Sequence, residues 1–127
     1  MSSVVFDAST LLISINREPG LEAVSNIHDD IVMSSVNFAE VVTKLAVHRM
    51  APEEIENAIA DYPMTVVPFT QRLAMMAGLL VARTRHRGLS LADRACLALA
   101  MELGLPVVTA DRAWADLDLG IDIRLIR

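Results

Sequence analysis

With 127 residues the chain has the length of one domain, enough to bury about two-thirds of the surface its unfolded form exposes. Hydrophobic residues make up 54% of it and aromatics only 4%, so the core is expected to consist of Ala, Val, Leu, Ile and Met, which suits helices packed on a parallel sheet. A formal net charge of −5 argues against a protein that coats nucleic acid through a basic face, and a lone cysteine, Cys96, excludes an intrachain disulfide or a thiolate zinc cluster.

In chain order, Ser3–Phe6 reads as a short buried strand, followed by a turn at Asp7-Ala8-Ser9 and a helix through Leu11-Leu12-Ile13. Pro19-Gly20 punctuates, and Leu21 to His28 reads as a short amphipathic helix. A second strand over Ile31–Ser35 leads into a helix carrying Asn37, Glu40 and Val41. Pro52 followed by Glu53 and Glu54 marks another helix start. Thr65–Val67 is a third short β run, and one long helix is expected from Gln71 to Arg87, stopped by Gly88. Ser90 opens an Ala- and Leu-rich helix that ends near Gly104, and Pro106–Thr109 is a strand that delivers Asp111 into a short helix with Trp114. Ile121–Ile126 alternates like an edge strand. Strands separated by helices predict a parallel α/β sheet of four or five strands in a single domain over residues 1–127. With no signal-type N-terminus and no apolar run long enough to span a bilayer, a cytoplasmic protein is the expectation.

Four acids, Asp7, Glu40, Asp93 and Asp111, each interrupt an apolar stretch near a helix start. Taken singly they read as caps: Asn37 to Glu40 and Ser90 to Asp93 have capping-box spacing, and Asp7 and Asp111 are suitable N-caps. On this reading Asn37 is a cap in preference to a pocket residue. Taken jointly they read differently, because Asp7, Glu40 and Asp111 all follow predicted strands, and a parallel sheet puts its strand ends along one ligand-binding edge. Helix N-termini favour a negative charge by up to about 1 kcal/mol, too little to gather several like charges without a cation. An all-carboxylate set, with His28, His48 and His86 outside ligand spacing, selects Mg²⁺ or Mn²⁺. Water activation against a phosphodiester is the natural chemistry of such a site.

The segments Val5-Phe6-Asp7-Ala8-Ser9, Asn37-Phe38-Ala39-Glu40-Val41, Leu89-Ser90-Leu91-Ala92-Asp93 and Val108-Thr109-Ala110-Asp111-Arg112-Ala113-Trp114 resemble, in order, the four motifs of PIN domains. Within that family the chain is similar to VapC-type toxins of toxin-antitoxin pairs. The resemblance implies an α/β/α sandwich and a Mg²⁺- or Mn²⁺-dependent endoribonuclease, with an acidic pocket of Asp7, Glu40, Asp93 and Asp111. It implies Asp7, Asp93 and Asp111 as metal ligands, direct or through water, and Glu40 as the group that helps hold or activate the attacking water. Ser9 and Thr109 match small hydroxyl positions beside the first and last acids, where they orient a carboxylate or make local turn bonds. Asp116 matches a further acid only loosely and reads better as a solvated side chain. The partners implied are an RNA substrate, a second copy of the chain and an antitoxin.

Arg83, Arg85, His86 and Arg87 form the one dense basic cluster. They read as a solvated helix end that complements the dipole, or as a guide for RNA phosphates toward the pocket. Arg112 is a candidate phosphate contact or a surface ion pair. Trp114 reads as core in preference to a base-stacking platform. Met75 and Met76, with Leu79 and Leu80, exceed one buried stripe and suit a contact with another protein. Alternatives for the whole chain are a housekeeping PIN nuclease acting on RNA or DNA, and a PIN-like binding module without turnover. A receiver-like phosphoacceptor module is disfavoured, because Asp7 stands alone after its strand and Lys44 is the one lysine.

Overall fold

Val4, Val5 and Phe6 are all buried, as an unbroken apolar run must be when both faces of its sheet are covered. The structure, a computed structural model, describes residues 2–127. The run forms strand β1 (Ser3–Phe6), joined by β2 (Asp30–Ser34), β3 (Thr65–Val67), β4 (Val107–Thr109) and β5 (Ile123–Leu125). The five lie in the order β3-β2-β1-β4-β5, and every pairing is parallel. Val4 and Phe6 face one core with Leu11, Met33, Val41 and Leu45, whereas Val5 faces the other with Leu73, Leu97, Val107 and Trp114. This period-two division is what fixes the register of a sheet covered on both faces.

The helices are α1 (Ala8–Asn16), α2 (Leu21–Ser25), α3 (Ser35–Val47), α4 (Pro52–Ala60), α5 (Gln71–Leu79), α6 (Val81–Thr84) and α7 (Leu91–Leu103), with 3-10 turns at Arg85–Arg87 and Arg112–Trp114. Leu11, Val41 and Ile55 place α1, α3 and α4 against the first core; Leu73, Ala77 and Leu97 place α5 and α7 against the second. The expected strands, the helix boundaries at Pro52 and Gly104 and the edge position of the last strand are all present. No helix among the described residues is long and apolar enough to cross a membrane.

Helix α2 ends at Ser25, short of the expected His28, and Ser35 opens α3 instead of ending the second strand; the largest departure is in the long helix expected after β3. The continuous helix from Gln71 to Arg87 is broken at Leu80, whose carbonyl oxygen accepts from the Arg83 amide (3.0 Å), the Thr84 amide (3.1 Å) and the Thr84 hydroxyl (2.9 Å). Thr84 is buried, so its hydroxyl needs an internal acceptor, and this back-bonding to the preceding turn bends helices. The last turn then tightens to 3-10 geometry before Gly88 ends it in the left-handed region at φ 60°.

The chain order changes direction between β1 and β4. β1 leads through α1 and α2 to β2 and β3 on one side, and the chain then returns past β1 to β4 and β5 on the other. In open parallel sheets, ligands bind in the crevice at the carboxyl ends of strands so divided. Asp7 follows β1 and Thr109 ends β4, so both stand at that crevice.

Candidate active site

Asp7 is the centre of the site and its most constrained side chain. It N-caps α1, with Oδ1 accepting from the Thr10 amide at 3.0 Å. Oδ1 also accepts from the Thr10 hydroxyl (2.9 Å) and the Ser9 hydroxyl (2.8 Å). Oδ2 accepts from Ser9 (2.9 Å) and, across the crevice, from the Thr109 hydroxyl (2.6 Å). The last bond ties the end of β1 to the end of β4. Both partner hydroxyls are anchored in turn: Thr109 Oγ1 accepts from the Asp111 amide (3.0 Å) and Ser9 Oγ from the Ala110 amide (3.3 Å). Ser9 and Thr109 therefore both orient the carboxylate and organise the turn, so the two readings of these residues coexist. Burial nevertheless pushes the Asp7 carboxyl above its ordinary range, outweighing the hydroxyl and amide donors that favour its charge.

Thr10 was not singled out in the sequence, yet it makes the same kind of contact as Ser9 and also reaches the Val108 carbonyl at 2.8 Å. A single hydroxyl proton must serve either Asp7 or Val108. The signal available was the Ser-Thr pair two and three residues after a strand-ending acid.

The other acids come to the same end of the sheet by different routes. Asp93 forms the expected capping box: its Oδ2 accepts from the Ser90 amide (3.0 Å), and its own amide donates to Ser90 Oγ (3.2 Å). Asp111 caps its 3-10 turn by accepting from the Ala113 amide at 2.9 Å. Glu40 makes no such bond. The predicted Asn37–Glu40 box is absent because α3 starts earlier, at Ser35, with Ser34 accepting from the Val36 amide (3.2 Å). Asn37 is instead buried and donates from Nδ2 to the Ala92 carbonyl (3.0 Å), pinning the start of α3 to the start of α7. Among the described residues Glu40 has no hydrogen-bond or ion-pair partner, so capping accounts for three of the four acids and leaves Glu40 without a structural task.

Cys96 records how these charges converge. It lies one turn after Asp93 on α7 and is fully buried. Burial pushes its thiol well above the ordinary range, and the charges of Asp7, Asp93 and Glu40 push it the same way. Three acids more than thirty residues apart in sequence thus act on one buried sulfur; Asp111 is not among them and stays at the exposed outer edge. A buried thiol held protonated is inert, so Cys96 serves as a small core residue.

Could this set hold a divalent cation? The donors are all oxygen, which suits Mg²⁺ or Mn²⁺. Among the described residues none of the four carboxylates is paired with Arg, Lys or His; the ion pairs lie elsewhere. The Oδ1 of Asn37 is a buried oxygen without a donor. Among the described residues no three His, Cys, Asp or Glu side chains stand close enough together to hold a metal ion between them, so a cation here would take at most one or two carboxylates directly and keep the rest of its water. The residues fit a hydrated hard cation.

At the rim, the structure separates the basic residues that the sequence grouped. Arg87 holds Asp116 through two hydrogen bonds (2.8 and 2.5 Å), with His86 3.7 Å from the same carboxylate. The Arg87 guanidinium keeps Asp116 below the usual carboxylate range. Asp116 is therefore exposed, as expected, but ion-paired. Arg83 donates to the Asp118 carbonyl (2.6 Å) and Arg112 to the Arg127 carbonyl (3.3 Å), and among the described residues Arg112 forms no ion pair. Among the described residues Arg85 alone of the cluster has no partner. Trp114 is fully buried, which settles it as core.

Known structures share this fold. The VapBC complex of Salmonella typhimurium bound to DNA contains a chain of the same fold, with a TM-score of 0.76 at 21% identity over the whole of both chains. VapC20 of Mycobacterium tuberculosis, a sarcin–ricin loop cleaving toxin, superposes with a TM-score of 0.73 at 17% identity, covering 94% of this chain and 98% of that one. The VapBC-5 toxin-antitoxin complex of the same organism gives 0.63 at 24% identity, over 100% and 99%. No curated protein matches the sequence. The PIN domain family matches residues 4–119, nearly the whole chain and all four acids, and the chain belongs to that family.

Proposed function

We propose that this protein is a Mg²⁺- or Mn²⁺-dependent endoribonuclease and the toxin of a type II toxin-antitoxin pair. The observation that carries the reading is a set of carboxylates at one sheet edge that, among the described residues, no cationic side chain pairs with. The fold shared with VapC20 and the VapBC complexes supports the substrate class and the partner.

When bound, the metal ion would supply a cheaper nucleophile from water and neutralise the scissile phosphate. Asp7, Asp93 and Asp111 would hold it, directly or through water. Ser9, Thr10 and Thr109 fix the Asp7 carboxylate and leave it little rotamer freedom. Glu40, free of local bonds, is the acid available to orient the attacking water and accept its proton. The test is cleavage of cellular RNA by the purified protein with Mn²⁺, with chelator, and in the Asp93→Asn variant. Cleavage is expected only with metal and to fall by about 10²-fold or more in the variant, with an unchanged circular dichroism spectrum. Cleavage that persists in chelator would sink the proposal.

The rim makes a finer expectation. Arg87 is already neutralised by Asp116, whereas Arg85 is free to meet a phosphate. Arg85→Ala should therefore weaken RNA binding more than Arg87→Ala and lower the slope of log affinity against log salt by roughly one phosphate contact. Equal effects in a filter-binding titration would refute that assignment.

Two apolar surfaces support the partners. An open groove of about 590 Å³ between α3 and α4, lined by Phe38, Val42, Met50, Ile55 and Ile59, suits the apolar face of an antitoxin segment. On α5, Met75 and Leu79 are 63% and 68% exposed, one turn apart on a face suited to a second copy of the chain.

A further inference from the structure

Asn37 is only 1% exposed, and one half of its amide is satisfied: Nδ2 donates to the Ala92 carbonyl at 3.0 Å. That acceptor fixes which end of the amide is nitrogen, because a carbonyl oxygen cannot donate. Oδ1 is then left buried with no donor. Leaving such an acceptor unpaired costs about 1–3 kcal/mol, and native structures rarely leave one so unless water occupies the gap.

The surroundings say which donor it can find. Asn37 and Glu40 are three residues apart on α3 and so share a face. The Ala92 carbonyl that Asn37 holds is followed directly by Asp93. Cys96, on the same face of α7 as Asp93, feels the charges of Asp7, Glu40 and Asp93 together. The unpaired oxygen therefore lies at the seam between the two acid-bearing helices. In the ionised form that would hold a metal ion, carboxylates only accept, so none of them then donates to it. A water whose hydrogens are shared between Oδ1 and the carboxylates satisfies both.

Resting on the nuclease reading above, we propose that Asn37 is a positioning residue of the active site, its Nδ2 setting the spacing of the Glu40 and Asp93 helices and its Oδ1 orienting a water held among the carboxylates of Asp7, Glu40 and Asp93. It touches no substrate atom. The neutral amide suits this role because a further carboxylate would add to the repulsion and a cationic side chain would occupy the place of the metal ion.

Two variants and three readouts test it. Asn37→Leu keeps the branched shape and heavy-atom count of the side chain but removes donor and acceptor together, so the melting temperature should change little. The turnover number with Mn²⁺ should fall about 10–100-fold, as for other residues that orient groups around a metal, with KM for RNA unchanged. Asn37→Ser restores an oxygen at the seam and should recover part of the turnover with a melting temperature no higher than that of Asn37→Leu. Mn²⁺ water-proton relaxation should change in Asn37→Leu and return toward wild type in Asn37→Ser. A crystal structure of the wild-type protein with Mn²⁺, at a resolution that shows ordered water, should place a water on Oδ1. Wild-type turnover and relaxation in Asn37→Leu, a parallel loss of melting temperature and turnover, or an Oδ1 without water each overturn the proposal. If the wild-type protein binds Mn²⁺ but cuts no RNA, the nuclease reading fails while the relaxation and crystallographic results still decide the role of Asn37.

Discussion

Asp7→Asn is expected to abolish RNA cleavage while raising the melting temperature of the metal-free protein at neutral pH. The two effects have one cause. Asp7 is only 5% exposed, and burial costs the charged carboxyl more than its hydroxyl and amide donors return, so its pKa is raised from the ordinary 3.8. For a carboxyl raised on folding, the linkage runs opposite to that of a salt-bridged acid. At low pH both folded and unfolded chains carry the proton and there is no penalty. As pH rises above 3.8 the unfolded chain ionises first, stability falls, and the full penalty remains at every pH above the folded pKa. Asparagine presents the same acceptor to Ser9 and Thr10 without the charge. Its amide nitrogen can donate to Thr109 Oγ1, which accepts as readily as it donates. A gain of roughly 0.5–2 kcal/mol follows, the size typical of removing one destabilising feature kept for function, or about 4 °C per kcal/mol in a domain of this length. The gain should shrink as the pH is lowered toward 3.8. Differential scanning calorimetry between pH 4 and 8 measures it, and a variant less stable than wild type at pH 7 would show that the carboxylate is favourably held without metal. Saturating Mn²⁺ should reverse the ranking, because only the wild-type protein gains the binding free energy, about 2.7 kcal/mol at a hundredfold excess over Kd.

Such a destabilised centre also explains which parts of the molecule were legible in the sequence. Strands announced themselves as short apolar runs, and each acid announced itself by breaking one, because a charge at the end of a buried strand must have either a cap or a ligand to justify it. The sheet order itself was not legible: the chain returns from β3 past β2 and β1 to β4, and that return brings Asp7 beside Thr109 without any pairwise signal in the sequence. What the sequence could not decide was competition between chemically similar residues. Ser34, Ser35 and Asn37 can all start a helix; Ser34 does so, which frees Asn37 for Ala92 and leaves Glu40 without a capping task. Arg83, Arg85 and Arg87 look alike in one dimension, but Asp116, 29 positions after Arg87, claims one of them through space. The break at Leu80 belongs to the same class, since it depends on Thr84 being buried. Local pattern fixes where chemistry stands; which of two like side chains performs it is decided by tertiary contact.

Trp114→Ala is expected to have the largest effect on stability of any single truncation, at about 3–5 kcal/mol, against a total of roughly 5–15 kcal/mol for a domain. The ring is fully buried in the core shared by β4, α5 and α7, and its removal leaves a cavity that neighbouring side chains cannot fill. Trp114→Phe should cost far less than the difference in ring size suggests. The indole Nε1 is a buried donor with no partner, so phenylalanine loses packing area but also removes an unsatisfied group worth about 1–3 kcal/mol. Urea denaturation followed by far-ultraviolet circular dichroism gives both values, and equal losses in the two variants would mean that water satisfies the indole. The consequence reaches the site, because Trp114 anchors the 3-10 turn capped by Asp111. Loosening that turn moves an acid at the edge of the pocket without touching it. Burial also predicts that the emission of this lone tryptophan is blue-shifted, resistant to acrylamide and unchanged when RNA is added; quenching by RNA would place the ring on a base instead of in the core.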